Sequence, residues 1–469
     1  MDLFPHKINK THSVSEIVAG FTSLPKEELE QKKTEVVVPG RIMSIRRMGR
    51  ALFFHISDSR TRLQAYLRED VIGAKEFGIF SLFDIGDSVA VRGVLFKTKT
   101  GELTVLAHGY TLLAKSLHPL PEKWHGLQDT ELRYRKRYLD LIMNPDVMEV
   151  FRTRSALISE LRKFFDRRGF VEVETPMMHP VPGGALAKPF KTFHNALGID
   201  LYLRVAPELY LKRLIVGGFE KVYEVNRNFR NEGISFEHNP EFTMLEFYQA
   251  YIDYNDLMAL TEELITGLAQ TILGKEELTY GDEVISLRRP WKRIPYKDAL
   301  LQFSGLAPER LADREETIEF AKHLSGEKEG VTHGRALDII FAKTVQPHLV
   351  QPTYVINTPK EISPLSKSTR ENPEETARFE LFLGRMEIVN AFSELTDPVE
   401  QRRRFEQQAE DRKKGAEEAH RIDTDYVEAL EYGLPPTGGE GIGIDRLTML
   451  FTNRKSIREV ILFPLLKPK

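Results

Sequence analysis

The spacing of apolar residues changes character about a quarter of the way along the chain. Between residues 36 and 115, five short segments alternate apolar and polar positions and are separated by turn residues. Further on, apolar residues recur at helical spacing over 149–168, 256–273 and 396–419. Alternating segments lie among these helices, at 201–205, 222–230, 241–251, 378–395 and 440–444. The pattern predicts a small β-barrel followed by a larger α+β domain with an antiparallel sheet flanked by helices.

Five strands within residues 36–115 favour an OB-fold, which is one of the few barrels of this size. Phe53 and Phe54 are adjacent in the second strand, so alternation places one of them in the core. The other is either a core residue or a ring on which a nucleic-acid base stacks. Four arginines precede this strand, at positions 41, 46, 47 and 50.

Composition and charge narrow the class of protein. The 469 residues are 41% hydrophobic and 29% charged and contain no cysteine, which excludes disulfides, thiolate nucleophiles and Cys-ligated metals. No apolar run is long enough for a transmembrane helix, and the first residues lack the pattern of a signal peptide. We therefore expect a soluble protein of the cytoplasm. Residues 1–118 contain 17 Lys and Arg against 13 Asp and Glu, a bias that suits either nucleic-acid binding or an ordinary solvated surface.

A loop with two prolines, LHPLPEKWHGL, interrupts the strand pattern at 117–127. It is followed at 131–141 by the charged run ELRYRKRYLDL, which we interpret as a helix. These features predict three parts of the chain: the barrel domain over 1–118, a linker over 119–145 and the α+β domain over 146–469.

The segment 222–251 reads as a strand, a polar loop and a second strand. Alternation in the second strand puts Phe242, Met244, Glu246 and Tyr248 on one face and Thr243, Leu245 and Phe247 on the other. A carboxylate in such a strand is costly to bury unless a cation or hydrogen-bond donors meet it. Arg230 ends the first strand, where its planar fork suits a phosphate or a carboxylate.

The segment 378–395 predicts a hairpin with a two-residue turn at Gly384-Arg385, which pairs Phe382 with Glu387. Glu380 and Glu387 then share a face and are close enough to hold a hard cation such as Mg²⁺, although each taken alone reads as a surface residue. An unbroken register sends residues 390, 392 and 394 to the opposite face. A β-bulge would be needed to bring both sets into one pocket.

Two further segments have residue patterns that suggest a ligand site or an interface. Residues 437–451, TGGEGIGIDRLTMLF, form a glycine-rich strand that turns into a helix with Arg446 in its first turn. The glycines allow a ligand to approach the backbone closely. Residues 169–178, GFVEVETPMM, read as a strand that ends at Pro176 and suits a sheet edge or an interface.

Together, ETP (174–176), FRNE (229–232) and GIGIDR (441–446) resemble the three motifs of class II aminoacyl-tRNA synthetases. PGGALAKPF, RVAPELYLKR, FRNEGISFEHNPEFTMLEFY, NAFSEL and LPPTGGEGIGIDR resemble the lysyl-tRNA synthetases of this class. The similarity extends from about residue 36 to the C-terminus. Members of that family carry an N-terminal helical extension, whereas this chain begins close to the barrel. Many also have Ala where this chain has Gly438.

The resemblance implies a two-step reaction, in which lysine and ATP form lysyl-adenylate before tRNA(Lys) accepts the lysyl group. It implies catalytic roles for Arg230 and Arg446, and ATP binding by Arg230, Glu232, His238, Asn239, Phe242, Glu380 and Arg446. It assigns lysine binding to Gly184, Glu208, Glu246, Tyr248, Asn390, Phe392, Glu394 and Gly441. It assigns Mg²⁺ binding to Glu380 and Glu387, and anticodon binding to Arg46, Phe53, Gln64 and Glu102. It also implies a homodimer formed through the segment around 169–178.

Three alternatives remain open at this point. One is an aspartyl- or asparaginyl-tRNA synthetase, which the acidic residues Glu246 and Glu394 disfavour because an acidic pocket demands a cationic substrate. Another is a paralogue that lysylates a protein, and such paralogues lack the barrel. The last is a non-catalytic relative, in which some of the charged motif residues should have been lost.

Overall fold

The computed structural model describes residues 5–121, 127–327, 331–413 and 422–468. The chain divides after Glu149 into two compact units, Met1–Glu149 and Val150–Lys469. The predicted linker includes residues 122–126, which lie outside the described ranges. Within those ranges, no helix has both the length and the apolar character needed to cross a bilayer.

The first unit contains the predicted five-stranded barrel, which is closed in the order β1-β2-β3-β5-β4. Its strands are β1 (Glu35–Met48), β2 (Ala51–Ser57), β3 (Arg62–Arg68), β4 (Ser88–Lys97) and β5 (Leu103–Ala114). The short helices of this unit are α1 (Val14–Phe21), α2 (Lys26–Lys32), α3 (Glu69–Ile72), α4 (Ala74–Phe80), α5 (Thr130–Arg135) and α6 (Arg137–Met143). The charged run at 131–141 is therefore helical as predicted, but it breaks at Lys136, where the backbone leaves the helical region.

The second unit is built on an eight-stranded sheet in the order β14-β15-β16-β17-β18-β11-β10-β6. Its strands are β6 (Val171–Glu172), β10 (Lys221–Phe229), β11 (Glu241–Ala250), β14 (Lys292–Pro295), β15 (Thr353–Ile356), β16 (Arg378–Leu383), β17 (Met386–Ser393) and β18 (Thr437–Gly443). Neighbouring strands are antiparallel except β6 with β10 and β14 with β15. Two small sheets accompany it, one of β7 (Met178–His179), β8 (Lys191–His194) and β9 (Ile199–Leu203), the other of β12 (Glu277–Tyr280) and β13 (Glu283–Ser286).

Helices surround the large sheet. They are α7 (Pro145–Asp166), α8 (Glu208–Val216), α9 (Tyr254–Leu273), α10 (Tyr296–Phe303), α11 (Pro308–Ala312), α12 (Arg314–Ser325), α13 (His333–Ile340), α14 (Pro398–Lys413), α15 (Thr424–Glu431), α16 (Ile444–Thr452) and α17 (Ile457–Val460). A π-helical turn (Phe341–Val345) and two 3₁₀ turns (Gln346–His348 and Lys360–Ile362) complete them. The predicted helices at 149–168 and 256–273 are α7 and α9. The third corresponds to α14, and its last predicted residues, 414–419, lie outside the described ranges.

One face of the sheet is covered by the main hydrophobic core. Leu245 and Phe247 of β11 pack there with Leu264 of α9 and Leu447 of α16, and all four are almost fully buried. Burial of this apolar surface holds the helices against the sheet. The opposite face carries a smaller apolar cluster that includes Val222 and Tyr248, and it also carries buried polar residues such as Glu224 and Glu246.

The run at 169–178 forms much less strand than its pattern predicted. Only Val171 and Glu172 pair with β10, at the edge of the sheet. Pro176 offers no N–H to a ladder, so the chain leaves the sheet before it. Thr175 instead donates its hydroxyl to Glu224, at 2.8 Å.

Candidate active site

The register of the sheet brings the predicted residues to one face. Glu246 of β11 pairs with Glu224 of β10 on one side and with Gly441 of β18 on the other. Gly441 pairs in turn with Asn390 of β17. Directly paired residues of antiparallel strands share a face, so these positions all point away from the core that contains Leu245. The alternation predicted for β11 is thus confirmed.

A β-bulge in the β16–β17 hairpin joins two sets of residues that an unbroken ladder would separate. Phe382 pairs with Glu387, as the predicted turn requires. Beyond it, Glu380 pairs with Asn390, one residue later than continuous pairing would give. Ile388 is the extra residue, and it faces the main core together with the residue that follows it. The bulge therefore returns Asn390 to the face that carries Glu387.

Strand β18 lies between β11 and β17, and its glycines expose the backbone at the base of the site. A Cβ on Gly441 would lie 2.9 Å from Cε of Met244. A Cβ on Gly439 would lie 2.1 Å from Oε1 of Glu394 and 2.4 Å from Cε1 of Tyr248. Glycine is required at position 439, where a carboxylate and a tyrosine ring already fill the space above the strand, whereas at position 441 only the flexible end of Met244 would have to shift.

The first part of the resulting cleft brings together most of the residues assigned to ATP. Its lining includes Arg230, Glu232, His238, Asn239, Phe242, Glu387 and Arg446. The guanidinium of Arg230 lies 5.0 Å from the centre of the Phe242 ring. Arg446 donates one hydrogen bond to the Glu387 carbonyl at 2.7 Å. These arginines make this part of the cleft suitable for an anionic ligand.

His238 is held as a neutral imidazole in this part of the cleft. Its Nε2 lies 3.1 Å from a terminal nitrogen of Arg446, and its Nδ1 lies 2.9 Å from Oγ of Ser235. Burial, followed by the charge of Arg446, lowers the pKa of His238 below its ordinary value. The neutral ring accepts from Arg446 through Nε2 and donates through Nδ1 to Ser235.

Arg446 owes its position to the residue before it. Asp445 lies in the first turn of α16, accepts the backbone N–H of Thr243 at 2.7 Å and forms an ion pair with Arg154 at 2.6 Å. These contacts tie the start of α16 to β11 and to α7, so that Arg446 projects into the cleft.

The second part of the cleft brings together the residues assigned to lysine, except Glu394. Its lining includes Gly184, Glu208, Glu246, Tyr248, Asn390, Phe392 and Gly441. Arg230, Met244, Asn390 and Gly441 line both parts, so the two form one continuous cleft. Burial, together with the charges of Glu208 and Glu224, raises the pKa of Glu246 to about 8. The cleft thus ends in an acidic chamber.

Gly184 and Glu208 approach each other in this chamber. Gly184 has φ of +93°, a conformation that L residues rarely adopt, and a Cβ there would lie 3.2 Å from the Cβ atoms of Ala206 and Glu208. Glu208 is the first residue of α8. The glycine thereby lets the loop pass directly over the carboxylate.

Glu394 lies one layer deeper than the sequence suggested. It is 1% exposed and does not line the chamber; its carboxylate sits above Gly439, against Tyr248. Its Oε2 forms an ion pair with Nζ of Lys212. Sequence reasoning missed Lys212, although its i, i+4 spacing from Glu208 on α8 was a usable signal, because such pairs usually lie on solvated helix faces.

Glu380 and Glu387 lie on the same face, as the hairpin predicted, and Arg378 accompanies them. Arg378 donates to Glu380 at 2.5 Å and to Oδ1 of Asn390 at 3.0 Å. Burial and the charge of Glu387, opposed by the charge of Arg378, raise the pKa of Glu380 to about 7. Within the described ranges, no three acidic, His or Cys side chains are close enough to hold a metal. Two carboxylates that repel each other fit a hard cation only if a ligand supplies further oxygens.

The barrel carries a second candidate surface. Phe54 is 1% exposed and belongs to the barrel core, whereas Phe53 points outward and stacks on Tyr66 with ring centres 4.3 Å apart. Beside them, Gln64 donates to Glu102 at 2.8 Å. Arg46 lies opposite Phe53 in the β1–β2 ladder. The four predicted anticodon residues therefore share one side of the barrel wall.

Two neighbours of this surface were missed by sequence reasoning. Tyr66 pairs with Phe53 across the β2–β3 ladder. His55 lies 3.2 Å from Glu102 through Nε2 and 2.9 Å from Ser44 through Nδ1. The two-residue alternation from Phe53 to His55 was the available signal.

Comparison with known proteins places these features in a family. Residues 129–467 match the model of class II tRNA synthetases (D, K and N), and residues 36–113 match that of the OB-fold nucleic-acid-binding domain. A lysine–tRNA ligase of Carboxydothermus hydrogenoformans is 54% identical over 464 residues, covering 99% of this chain and 94% of the relative. That of Pelotomaculum thermopropionicum is 54% identical over 466 residues, with 99% and 91% coverage. That of Bacillus subtilis is 50% identical over 470 residues, with 100% and 94% coverage. The chain therefore belongs to the class II tRNA synthetase family, and within it to the lysine–tRNA ligases.

Proposed function

We propose that this protein ligates L-lysine to tRNA(Lys), using ATP and releasing AMP and pyrophosphate. The observation that carries the proposal is the distribution of charge along one cleft. Arg230 and Arg446 lie in the first part, whereas Glu208 and Glu246 line the second part with Glu394 behind them. This arrangement suits a triphosphate placed beside a cationic amino acid.

In the first step, an oxygen of the lysine carboxylate attacks the α-phosphorus of ATP and the bond to pyrophosphate breaks. No side chain has to act as a base, since a carboxylate is already ionised at neutral pH. Arg230 is positioned between the two parts of the cleft, where it would hold both the α-phosphate and the lysine carboxylate. Arg446 would hold the γ-phosphate of a bent ATP. Catalysis then rests on orientation and on stabilisation of the developing charge.

Adenosine would occupy the space near the β10–β11 loop. Phe242 offers a ring for stacking, and Glu232, His238 and Asn239 offer polar edges. Asn239 is 7% exposed, and its Oδ1 has no hydrogen-bond partner among the described residues. A buried acceptor without a partner is costly, and an amino group on the purine would relieve that cost.

Lysine would lie in the acidic chamber with its α-amino group at Gly184 and Glu208. Its side chain would extend past Asn390, Phe392 and Gly441 towards Glu246 and Tyr248. The ammonium group would then pair with the Glu246 carboxylate. Aspartate and asparagine cannot provide that charge, and an unpaired buried carboxylate would disfavour them.

Mg²⁺ would be held by Glu380 and Glu387 together with phosphate oxygens of ATP. When bound, the ion supplies charge neutralisation on the phosphates. The mutual repulsion of the two carboxylates supports this role.

Recognition of tRNA would use the outward surface of the barrel. Phe53 offers a stacking ring, and Gln64 and Glu102 offer donors and acceptors for base edges in an unpaired anticodon loop. Arg46 adds positive charge for the phosphate backbone. This substrate is the reason for placing the reaction in the cytoplasm.

The second unit exposes several large apolar side chains that suit a homodimer. Val171 at the sheet edge is 46% exposed, and Met178 and Phe193 of the three-stranded sheet are 52% and 55% exposed. Such residues are typical of subunit interfaces. Sedimentation of the wild type as a dimer, and of a Met178→Asp variant as a monomer, would support this assignment; a monomeric wild type would contradict it.

ATP–pyrophosphate exchange with each of the twenty amino acids, without tRNA, tests the central proposal. We expect exchange with lysine alone. Exchange with aspartate or asparagine would overturn the substrate and retain the class of reaction. Folded protein that is silent with all twenty would instead favour a non-catalytic role.

A further inference from the structure

Lys212 is a buried cation for which the reaction described above has no use. Its side chain has no exposed surface. Nζ lies 5.4 Å from the ring centre of Phe392 and 5.9 Å from that of Tyr426, within a cluster of apolar residues. A buried ammonium is retained only where anionic partners compensate for the loss of water.

Two carboxylates provide that compensation. Lys212 Nζ donates to Oε1 of Glu208 at 2.6 Å and forms an ion pair with Oε2 of Glu394. Glu208 lines the acidic chamber, whereas Glu394 lies behind it above Gly439. One ammonium thus links a residue of the chamber wall to a residue of the layer behind.

The charges around the chamber balance only when Lys212 is counted. Glu208, Glu246 and Glu394 are faced by two cations, Lys212 and Arg230. The other ions nearby pair among themselves, Arg204 with Glu224 and Arg378 with Glu380. With Glu246 ionised, as an ion pair with the substrate requires, these groups carry one net negative charge, and L-lysine carries one net positive charge at neutral pH.

We infer that Lys212 is a positioning residue that sets the charge of the amino-acid chamber. It neutralises Glu394 and orients Glu208, which leaves Glu246 as the carboxylate that pairs with the substrate's side-chain ammonium. The inference rests on the proposed function, because it concerns the binding of lysine in that reaction.

Loss of the Lys212 charge should alter the pH dependence of lysine binding. The groups that face Nζ are Glu208 on its own helix, Glu394 after β17, Phe392 of β17 and Tyr426 of α15; Glu246 and Tyr248 of β11 face the same carboxylates. Without the ammonium, an extra negative charge remains among these carboxylates. One of the carboxyl groups therefore retains its proton to a higher pH. Binding of a cationic substrate would then require more alkaline conditions.

The test compares four variants with the wild type in ATP–pyrophosphate exchange from pH 6 to 9. Lys212→Met removes the charge and keeps most of the volume, and Lys212→Arg keeps the charge. Glu394→Gln removes the partner, and the double variant Lys212→Met/Glu394→Gln removes both charges. KM for lysine, KM for ATP and kcat are measured for each.

We expect Lys212→Met to raise the KM for lysine at least tenfold at pH 7, with the KM for ATP within twofold of the wild type. The pH below which the KM for lysine rises should move upward by about one unit. Lys212→Arg should stay within about threefold of the wild type. The double variant should have a lower KM for lysine than either single variant, because its charge balance is restored.

Several results would overturn the inference. One is an unchanged pH profile and KM for lysine in Lys212→Met, and another is equal losses in the Met and Arg variants, which would indicate packing alone. A double variant no better than Glu394→Gln would mean that Glu394 binds the substrate itself. If Lys212→Met does not fold, the Arg and double variants decide by the same measurements. A wild type that does not activate lysine would instead refute the proposed function.

Discussion

Glu246 is the residue whose surroundings define the chamber. It is 5% exposed, and it accepts a 3.4 Å hydrogen bond from the side-chain amide of Asn228. Burial and the neighbouring carboxylates disfavour its charged form, as the raised pKa of about 8 reflects. A bound ammonium would reverse that preference, and two predictions follow at this scale.

Glu246→Gln should abolish lysine activation while ATP still binds. The amide cannot neutralise a buried ammonium, so we expect kcat/KM for lysine to fall by at least 10³-fold, of the order seen when a polar site loses its matching group. Pyrophosphate exchange and equilibrium ATP binding are the measurements.

Glu440→Gln is the matched control for Glu246→Gln. Glu440 is also a buried carboxyl, but it points to the opposite face of β18, where it accepts the hydroxyl of Thr261 at 2.8 Å. We expect this variant to activate lysine. Normal exchange by Glu246→Gln would show that the substrate ammonium lies elsewhere.

Lysine binding should release a proton at neutral pH. Below its free-state pKa of about 8, Glu246 is mainly protonated, and an ion pair with the substrate requires the carboxylate. The Kd for lysine should therefore rise as pH falls from 8 to 6, by up to about tenfold per unit. Calorimetry in buffers of different ionisation enthalpy measures the proton directly. A Kd independent of pH over this range would mean that Glu246 is already ionised in the free protein.

At the scale of elements, β18 sets the shape of the cleft. Gly439, Gly441 and Gly443 face the site, while Ile442 faces the core. The strand lies between β11 and β17, so a side chain at position 439 would meet Tyr248 of β11 and Glu394, which follows β17. The strand is therefore a structural part of the chamber rather than a flexible loop.

Gly439→Ala should destabilise the protein and weaken lysine binding. Its Cβ would clash with Glu394 and Tyr248, and overpacking of this kind costs roughly 1–3 kcal/mol or more. Gly443→Ala is the control, because the nearest atoms to its Cβ are 3.8 Å away, at ordinary contact distance. Thermal unfolding of both variants tests the comparison. Equal stabilities would mean that Glu394 can move aside.

At the scale of the whole molecule, the chain assigns different tasks to its two units. The cleft lies within the second unit and the stacking surface within the first. Changes to the barrel surface should therefore affect the use of tRNA without affecting amino-acid activation.

Phe53→Ala should raise the KM for tRNA at least tenfold and leave lysine-dependent pyrophosphate exchange unchanged. Loss of one base–aromatic stack corresponds to about 1–3 kcal/mol. Phe53→Tyr keeps a stacking ring and should behave like the wild type in both assays. Equal loss of both activities in Phe53→Ala would indicate misfolding rather than loss of tRNA contact.

The sequence by itself determined many of the elements and the faces of individual strands such as β11. The alternation of β11, the turn that pairs Phe382 with Glu387 and the helical spacing of α7 and α9 all depend on neighbours along the chain. Such local patterns fix which residues point together within an element. The motif residues showed the resemblance to a family, and that resemblance implied the reaction.

Only the tertiary structure decided how those elements meet. Continuous pairing sends Asn390 to the wrong face, and the bulge at Ile388 corrects it because the core on the other side takes two successive residues. The contact of Lys212 with Glu394 joins positions far apart in the chain, and no local pattern distinguishes a buried ion pair from a solvated one. Burial is a property of the assembled sheet and helices, so the charge of the chamber emerges only at that level.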